Sequence, residues 1–166
     1  MKLTLASLDL SCRVEWLQTL EIFRLVENLM FLECLAEEMV EVSLTENYPI
    51  FHKNEQAKSL YCLIEGRVKL HVDQIKIAEL SRGAYFGDIN IFDPQPYATS
   101  VTTLEATRCL VLDHVGLQAA INCYPDIKPV LMAGLYSRQQ SLKVHSWRKS
   151  VVQEWFAKTQ EHCWAY

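Results

Sequence analysis

The residues best placed to do chemistry in this 166-residue chain lie between Leu80 and Val101. Leu80-Ser81-Arg82-Gly83 reads as the end of a strand and a glycine turn. Tyr85-Phe86-Gly87-Asp88-Ile89 reads as the start of a short helical piece, and Pro96-Tyr97-Ala98-Thr99-Ser100-Val101 as a departing strand. A strand, a tight turn and a helix N-terminus gather unpaired backbone N–H groups and the positive end of a dipole, the geometry that holds a phosphate or another small anion. Gly87 would let such a ligand approach the backbone, and Asp88 adds a carboxylate that accepts from a hydroxyl. A plain turn capped by Asp88 is the other reading of these residues and needs no ligand.

Other chemistries find less support. His52, His71, His114, His145 and His162 never show the H-x-H or H-x-x-x-H spacing that puts two imidazoles on one metal, so no metal is expected. Cys12, Cys34, Cys62, Cys109, Cys123 and Cys163 contain no C-x-x-C pair and mostly sit in apolar runs, as reduced thiols of a reducing compartment do. Cys109 is close in sequence to Asp113 and His114, but it falls in an apolar strand, where thiol nucleophilicity is suppressed. No catalytic residue is therefore expected, and the chain reads as a non-enzyme.

The net charge of −4 supplies no long-range attraction to a phosphate backbone or an anionic bilayer, so neither nucleic acid nor membrane is an expected partner. Met1 to Cys12 is too short and too interrupted by Asp9 for a signal peptide, and no later run reaches the ~18 uncharged residues a spanning helix needs. The expected location is the cytoplasm.

The elements that must position the Leu80–Val101 segment follow from periodicity. Leu17, Leu20, Leu25, Leu29 and Leu32 recur at helical spacing between Val14 and Glu38, which makes residues 1–38 an N-terminal helical segment. Residues 39–125 turn β-rich, with strands expected at Val40–Leu44, Pro49–Lys53, Leu60–Ile64, Val68–Val72, Ile75–Leu80, Tyr97–Thr103 and Arg108–Leu112. Asn47, Asn54, Gly66, Gly83 and Pro94 punctuate them. Seven short strands about ten residues apart argue for an antiparallel roll or sandwich rather than β-α-β units. Residues 126–166 return to a long helix with Pro129 in its first turn and an apolar stripe of Val144, Trp147, Val151 and Trp155. No repeat or linker separates these segments, so they are expected to form one domain, and some forty residues after Asp126 are too few for a winged-helix DNA reader.

Phe86-Gly87-Asp88 and, after Ile89 to Gln95, Pro96-Tyr97-Ala98-Thr99-Ser100-Val101 resemble the phosphate-binding cassette of cyclic nucleotide-binding domains, which reads F-G-E, three or so apolar residues, then P-R-[SA]-A-[ST]-V, and they occupy that pattern without a gap. The resemblance extends over about 100 residues, through Pro49 to Asn54, Ser59 to Val68 and Thr107 to Asp113. It implies a mainly β fold, an antiparallel β-roll or jelly-roll with N-terminal helices and a long C-terminal helix. Asn47 and Asn54 stand where the family usually has Gly, and Asn is the side chain that next best accepts the left-handed conformation.

The resemblance also implies a site of Gly87, Asp88, Ile89, Tyr97, Ala98 and Thr99, lidded near Leu142 of the C-terminal helix, for cAMP or cGMP. In the family the cassette Arg grips the cyclic phosphate and the Glu accepts from the ribose 2′-hydroxyl; here those positions are Tyr97 and Asp88. Asp88 keeps the acceptor one methylene shorter. Tyr97 replaces a charged, multidentate donor with one neutral hydroxyl, so binding is expected to be weak, altered or lost unless another cation, Arg82 being nearest, compensates. In relatives resembling catabolite activators the C-terminal helix pairs two subunits, which implies a homodimer. The alternatives are a helix folded back on its own domain, a ligand-free scaffold for dimerisation or docking, and a cupin-like metal enzyme on a related roll.

Overall fold

A computed structural model describes residues 7–56, 58–87 and 96–146 of the chain, with side chains to Ser137. Helix α1 (Leu10–Thr19) begins where the Asp9 carboxylate accepts from the Cys12 amide at 2.8 Å, and α2 (Leu29–Glu38) where the Asn28 side chain accepts from Phe31 at 3.1 Å. Both are ordinary N-caps. A 3-10 turn, Glu21–Phe23, lies between them. The strands follow as β1 (Val40–Leu44), β2 (Pro49–Phe51), β3 (Ser59–Glu65), β4 (Val68–Val72), β5 (Ile75–Leu80), β6 (Tyr85–Phe86), β7 (Ser100–Thr103) and β8 (Thr107–Asp113). Asp113 then caps α3 (His114–Cys123) through the Gly116 amide at 2.6 Å. A second 3-10 turn, Pro125–Ile127, leads into α4 (Lys128–Ser146).

Among the described residues the strands form two four-stranded antiparallel sheets, β1-β8-β3-β6 and β2-β7-β4-β5. This is the expected β-roll with helices at both ends. The inner strands β3 and β8 of the first sheet are covered on both faces, which is why they read as continuous apolar runs. Leu60, Cys62, Ile64, Leu110 and Leu112 face a core shared with α1, α2, α3 and α4. Leu63 and Cys109 face the second sheet with Phe51, Val68, Phe86, Tyr97 and Val101.

Asn47 and Asn54 hold the turns flanking β2 with φ of 58° and 70°, the conformation expected of residues standing in for glycine. The first turn is fixed by buried Thr103, whose hydroxyl donates to Thr45 O at 2.6 Å and accepts from Tyr48 N at 2.7 Å. Asn54 donates its N–H to Tyr97 O at 2.8 Å. Three expected boundaries shift for local reasons. α1 starts at Leu10, four residues before Val14, because Asp9 is a cap. β2 ends at Phe51, because the Lys53 amide turns to the Ser100 hydroxyl at 2.9 Å. β7 starts at Ser100, since the Tyr97 amide bonds Glu55 O at 2.9 Å instead of joining the ladder.

An ion pair ties β8 to β1 and to the N-terminal segment. The Arg108 guanidinium bonds Glu41, both side chains largely buried, and reaches Glu65 at 3.4 Å. Glu41 also accepts from Leu8 N at 2.9 Å. Burial opposes charging of Glu41, but the Arg108 and Leu8 hydrogen bonds outweigh it and hold the carboxyl below its ordinary value of 4.5. A folded-state value below the unfolded one contributes stability that is complete above the ordinary value and lost as pH falls through the lowered one. Glu41→Gln is therefore expected to cost about 2 kcal/mol in urea unfolding at pH 7, and the gap from the parent chain should close as the pH drops below the ordinary carboxylate range. A gap independent of pH would show that the charge is irrelevant.

No helix among the described residues is long and apolar enough to cross a membrane.

Candidate functional site

The cassette is reached from β5 through the Arg82-Gly83 turn and leaves through Pro96 and Tyr97 into β7. Two of the expected site residues meet at one atom, the Ser59 carbonyl at the start of β3. Gly87 has φ +80° and lies so close to it that a Cβ there would sit 2.4 Å from Ser59 O. The glycine is thus required for the fit of the cassette against β3, whatever approaches it from outside. The Tyr97 hydroxyl donates to the same Ser59 carbonyl at 3.3 Å and accepts from Lys58 N at 3.4 Å.

The Tyr97 ring is buried. It stacks on Phe51 with centroids 3.6 Å apart and planes 9° from parallel. Tyr61 and Phe86 stack beside them at 5.1 Å and 6°, and Phe51 joins the two pairs at 5.9 Å from each. Four aromatic rings thus fill this end of the space between the sheets. Burial first, then the neighbouring Tyr97 and Cys109, pushes the Tyr61 phenol up to about 12. Burial likewise raises Tyr97 against the hydrogen bonds it accepts from Lys58 N and donates to Ser59 O, and alone pushes the Cys109 thiol up to about 12. Phenols and thiol are all neutral at neutral pH, so this group offers an aromatic, uncharged surface.

Arg82, the nearest candidate to replace the missing cassette cation, is turned elsewhere: its guanidinium carbon lies 5.7 Å from the centroid of the Trp16 ring on α1, at cation–π distance. From Gly83 to Thr107 the sequence has no Lys, Arg or His. Thr99 is buried and Ala98 half-buried beside Tyr97. Asp88 and Ile89 lie outside the described residues. Leu142 is on α4, but its side chain is likewise outside the description. No group of three or more potential metal-ligating side chains occurs among the described residues.

Sequence reasoning missed Phe51, Tyr61, Phe86 and Ser59 as members of this group. The signal was available for the first two, because Phe51 and Tyr61 occupy the inward positions of short strands, and aromatic residues there bring partners across the roll. β6 is only two residues long, paired with Tyr61 and Cys62, and carries no periodicity to detect.

Comparison with known proteins places these features. A family model described as Cyclic nucleotide-binding domain matches residues 41–124. A "CRP-like cAMP-activated global transcriptional regulator" of Mycobacterium tuberculosis is 27% identical over 109 residues, 63% of this chain and 49% of that protein. The chain thus spans about half the length of the curated relatives it matches. Among solved structures, the N-terminal domain of a transcriptional regulator from Streptomyces coelicolor A3(2) superposes with a TM-score of 0.69 at 25% identity, over 78% of this chain and 94% of that one. The regulatory domain of Toxoplasma gondii PKA, solved with cAMP, shares the fold at a TM-score of 0.63 and 17% identity, over 80% of this chain and 49% of that one.

Proposed function

The chain belongs to the cyclic nucleotide-binding domain family, and from that premise we propose that it is a non-catalytic regulatory module whose cassette holds cAMP or cGMP weakly or not at all. The observation that carries this reading is Tyr97. It stands where the family grips the cyclic phosphate with a guanidinium, and its ring lies on Phe51 with its hydroxyl turned to Ser59 O at 3.3 Å. A charged hydrogen bond contributes about 1.5–3 kcal/mol, so losing a bidentate pair weakens binding by about two decades or more. Arg82 does not compensate from its position over Trp16, and Asp88 retains only a shortened acceptor for the ribose. The module would act through the C-terminal helix, with Leu142 as an apolar lid and a second copy as its partner. A ligand can bias that helix only by the difference in its affinity for two arrangements.

Calorimetric titration of the chain with cAMP and cGMP tests the proposal. The expected result is no saturable heat below about 100 µM ligand, with Tyr97→Arg gaining at least about a hundredfold in affinity. A thermal melt of the variant establishes that it remains folded. Binding below about 1 µM by the unaltered chain would overturn the reading, since an intact charged anchor would then have to exist.

A second reading, a roll that serves only as a scaffold for dimerisation or docking, draws on the same aromatic stack, which completes the interior with no ligand. It predicts no heat from either the parent or folded Tyr97→Arg.

A further inference from the structure

Helices α2 and α3 pack side by side in opposite directions. At one end the position of a Gly116 Cβ would lie 3.0 Å from Glu38 Cβ, and at the other the Phe31 and Tyr124 rings meet edge to face at 6.1 Å. Between these anchors the α3 stripe facing α2 runs Gly116, Ala120, Cys123 at i, i+4 and i+7, and the α2 stripe runs Phe31, Cys34, Leu35, Glu38. Gly116 and Ala120 are small, which lets the two backbones approach closely. Cys34 shares a helix face with Phe31, and Cys123 is the neighbour of Tyr124, so the Phe31–Tyr124 contact brings the two cysteines to the same crossing. Cys34 is half-buried in the helical core, while Cys123 is exposed. The Cys34 thiol is pushed up by burial first and by Cys123 next, then by Glu37 and Glu38, which agrees with that placement.

We propose that Cys34 and Cys123 form a reversible disulfide that locks α2 to α3 when the chain meets a low-molecular-weight disulfide such as oxidised glutathione. Exposed Cys123 is the first to react. Its thiolate attacks one glutathione sulfur, forming a mixed disulfide and releasing one glutathione thiolate, which takes up a proton. Cys34 then loses its proton and attacks Cys123 Sγ, breaking the mixed disulfide and releasing the second glutathione. Two protein thiols are oxidised by two electrons and one glutathione disulfide is reduced to two thiols. Buried Cys62 and Cys109 take no part, since the oxidant cannot reach them. The bridge would join residue 34 to residue 123 and so enclose the entire roll in one covalent loop, the case in which a cross-link restricts the unfolded chain most.

The test is incubation of the whole chain with oxidised glutathione, followed by peptide mapping without reduction and a thermal melt. The expected result is a cross-linked peptide pair containing Cys34 and Cys123, with Tm raised by roughly 5–10 °C and restored to its starting value by dithiothreitol. Cys123→Ser, a surface change, should abolish both effects. Cys34→Ser should leave glutathione attached at Cys123 with no cross-link. Persistence of the mixed disulfide on Cys123 in the parent chain, pairing of Cys123 with Cys163, or a Cys123-linked dimer would each overturn the proposal, because each means that Cys34 is out of reach of Cys123.

Discussion

Tyr97→Ala is expected to lower folding stability by about 3–4 kcal/mol, whereas Tyr97→Phe should cost only about 1 kcal/mol. The large term comes from the ring, because Tyr97 is 6% exposed and lies flat on Phe51. Removing it leaves a cavity between the sheets, and the neighbouring stack of Tyr61 and Phe86 loses its lateral support through Phe51. The small term comes from the hydroxyl, whose bonds to Ser59 O and Lys58 N, at 3.3 and 3.4 Å, are long. Equilibrium unfolding in guanidinium chloride of the parent and both variants checks the order. A loss below about 1 kcal/mol on Tyr97→Ala would mean that the ring is not part of the core. That outcome would also remove the main support for a weakened cassette, since a ring free to leave Phe51 could face a ligand. Stability and ligand affinity at this one position therefore test the same placement from two directions.

The sequence disclosed most of the fold because the fold rests on short-range rules. Val40–Leu44, Val68–Val72 and Ile75–Leu80 were readable to the residue, since each is an apolar or alternating run closed by a turn, and the observed strands have those limits. Asn47 and Asn54 announced left-handed turns by residue type alone, and both adopt them. The cassette was legible as a position and illegible as a geometry. Tyr97 lies outside any ladder, so strand alternation says nothing about which way its side chain points; the direction is decided by Phe51, some forty-five residues away in sequence, and by the Asn54 and Glu55 backbone bonds. The same applies to Arg82. A lone arginine in a polar turn gives no hint of its neighbour, and Trp16 was legible only as part of a helix. Long-range side-chain partners are set by tertiary packing, which periodicity does not encode.

The placement of α4 can be tested at a glycine whose propensity and packing predict opposite signs. Gly134 lies inside α4, where replacing glycine with alanine ordinarily gains about 1 kcal/mol through helix propensity. Here the position faces the Glu21–Phe23 turn so closely that a Cβ would sit 2.4 Å from Ile22 O, 2.9 Å from Ile22 C and 3.1 Å from Ile22 Cα. All three are backbone atoms, which cannot rotate aside as a side-chain tip can. The overlap must move α4 or the turn, and either movement disturbs Ile127, Leu131 and Leu135, which are buried in the shared helical core, and the 3.0 Å hydrogen bond from the Ser137 hydroxyl to Glu21. Overpacking of this kind costs about 1–3 kcal/mol, which exceeds the propensity gain. Gly134→Ala is accordingly expected to lower Tm, and Gly134→Val to lower it further, with amide exchange accelerated over residues 128–137 before it rises in β3 and β8. If Gly134→Ala instead raises Tm, helix propensity has won, and α4 does not lie against the Ile22 carbonyl. The result reaches function as well as stability. In the proposed module the C-terminal helix is what a ligand or a partner must reposition, and the Gly134–Ile22 contact is the seat it would have to leave.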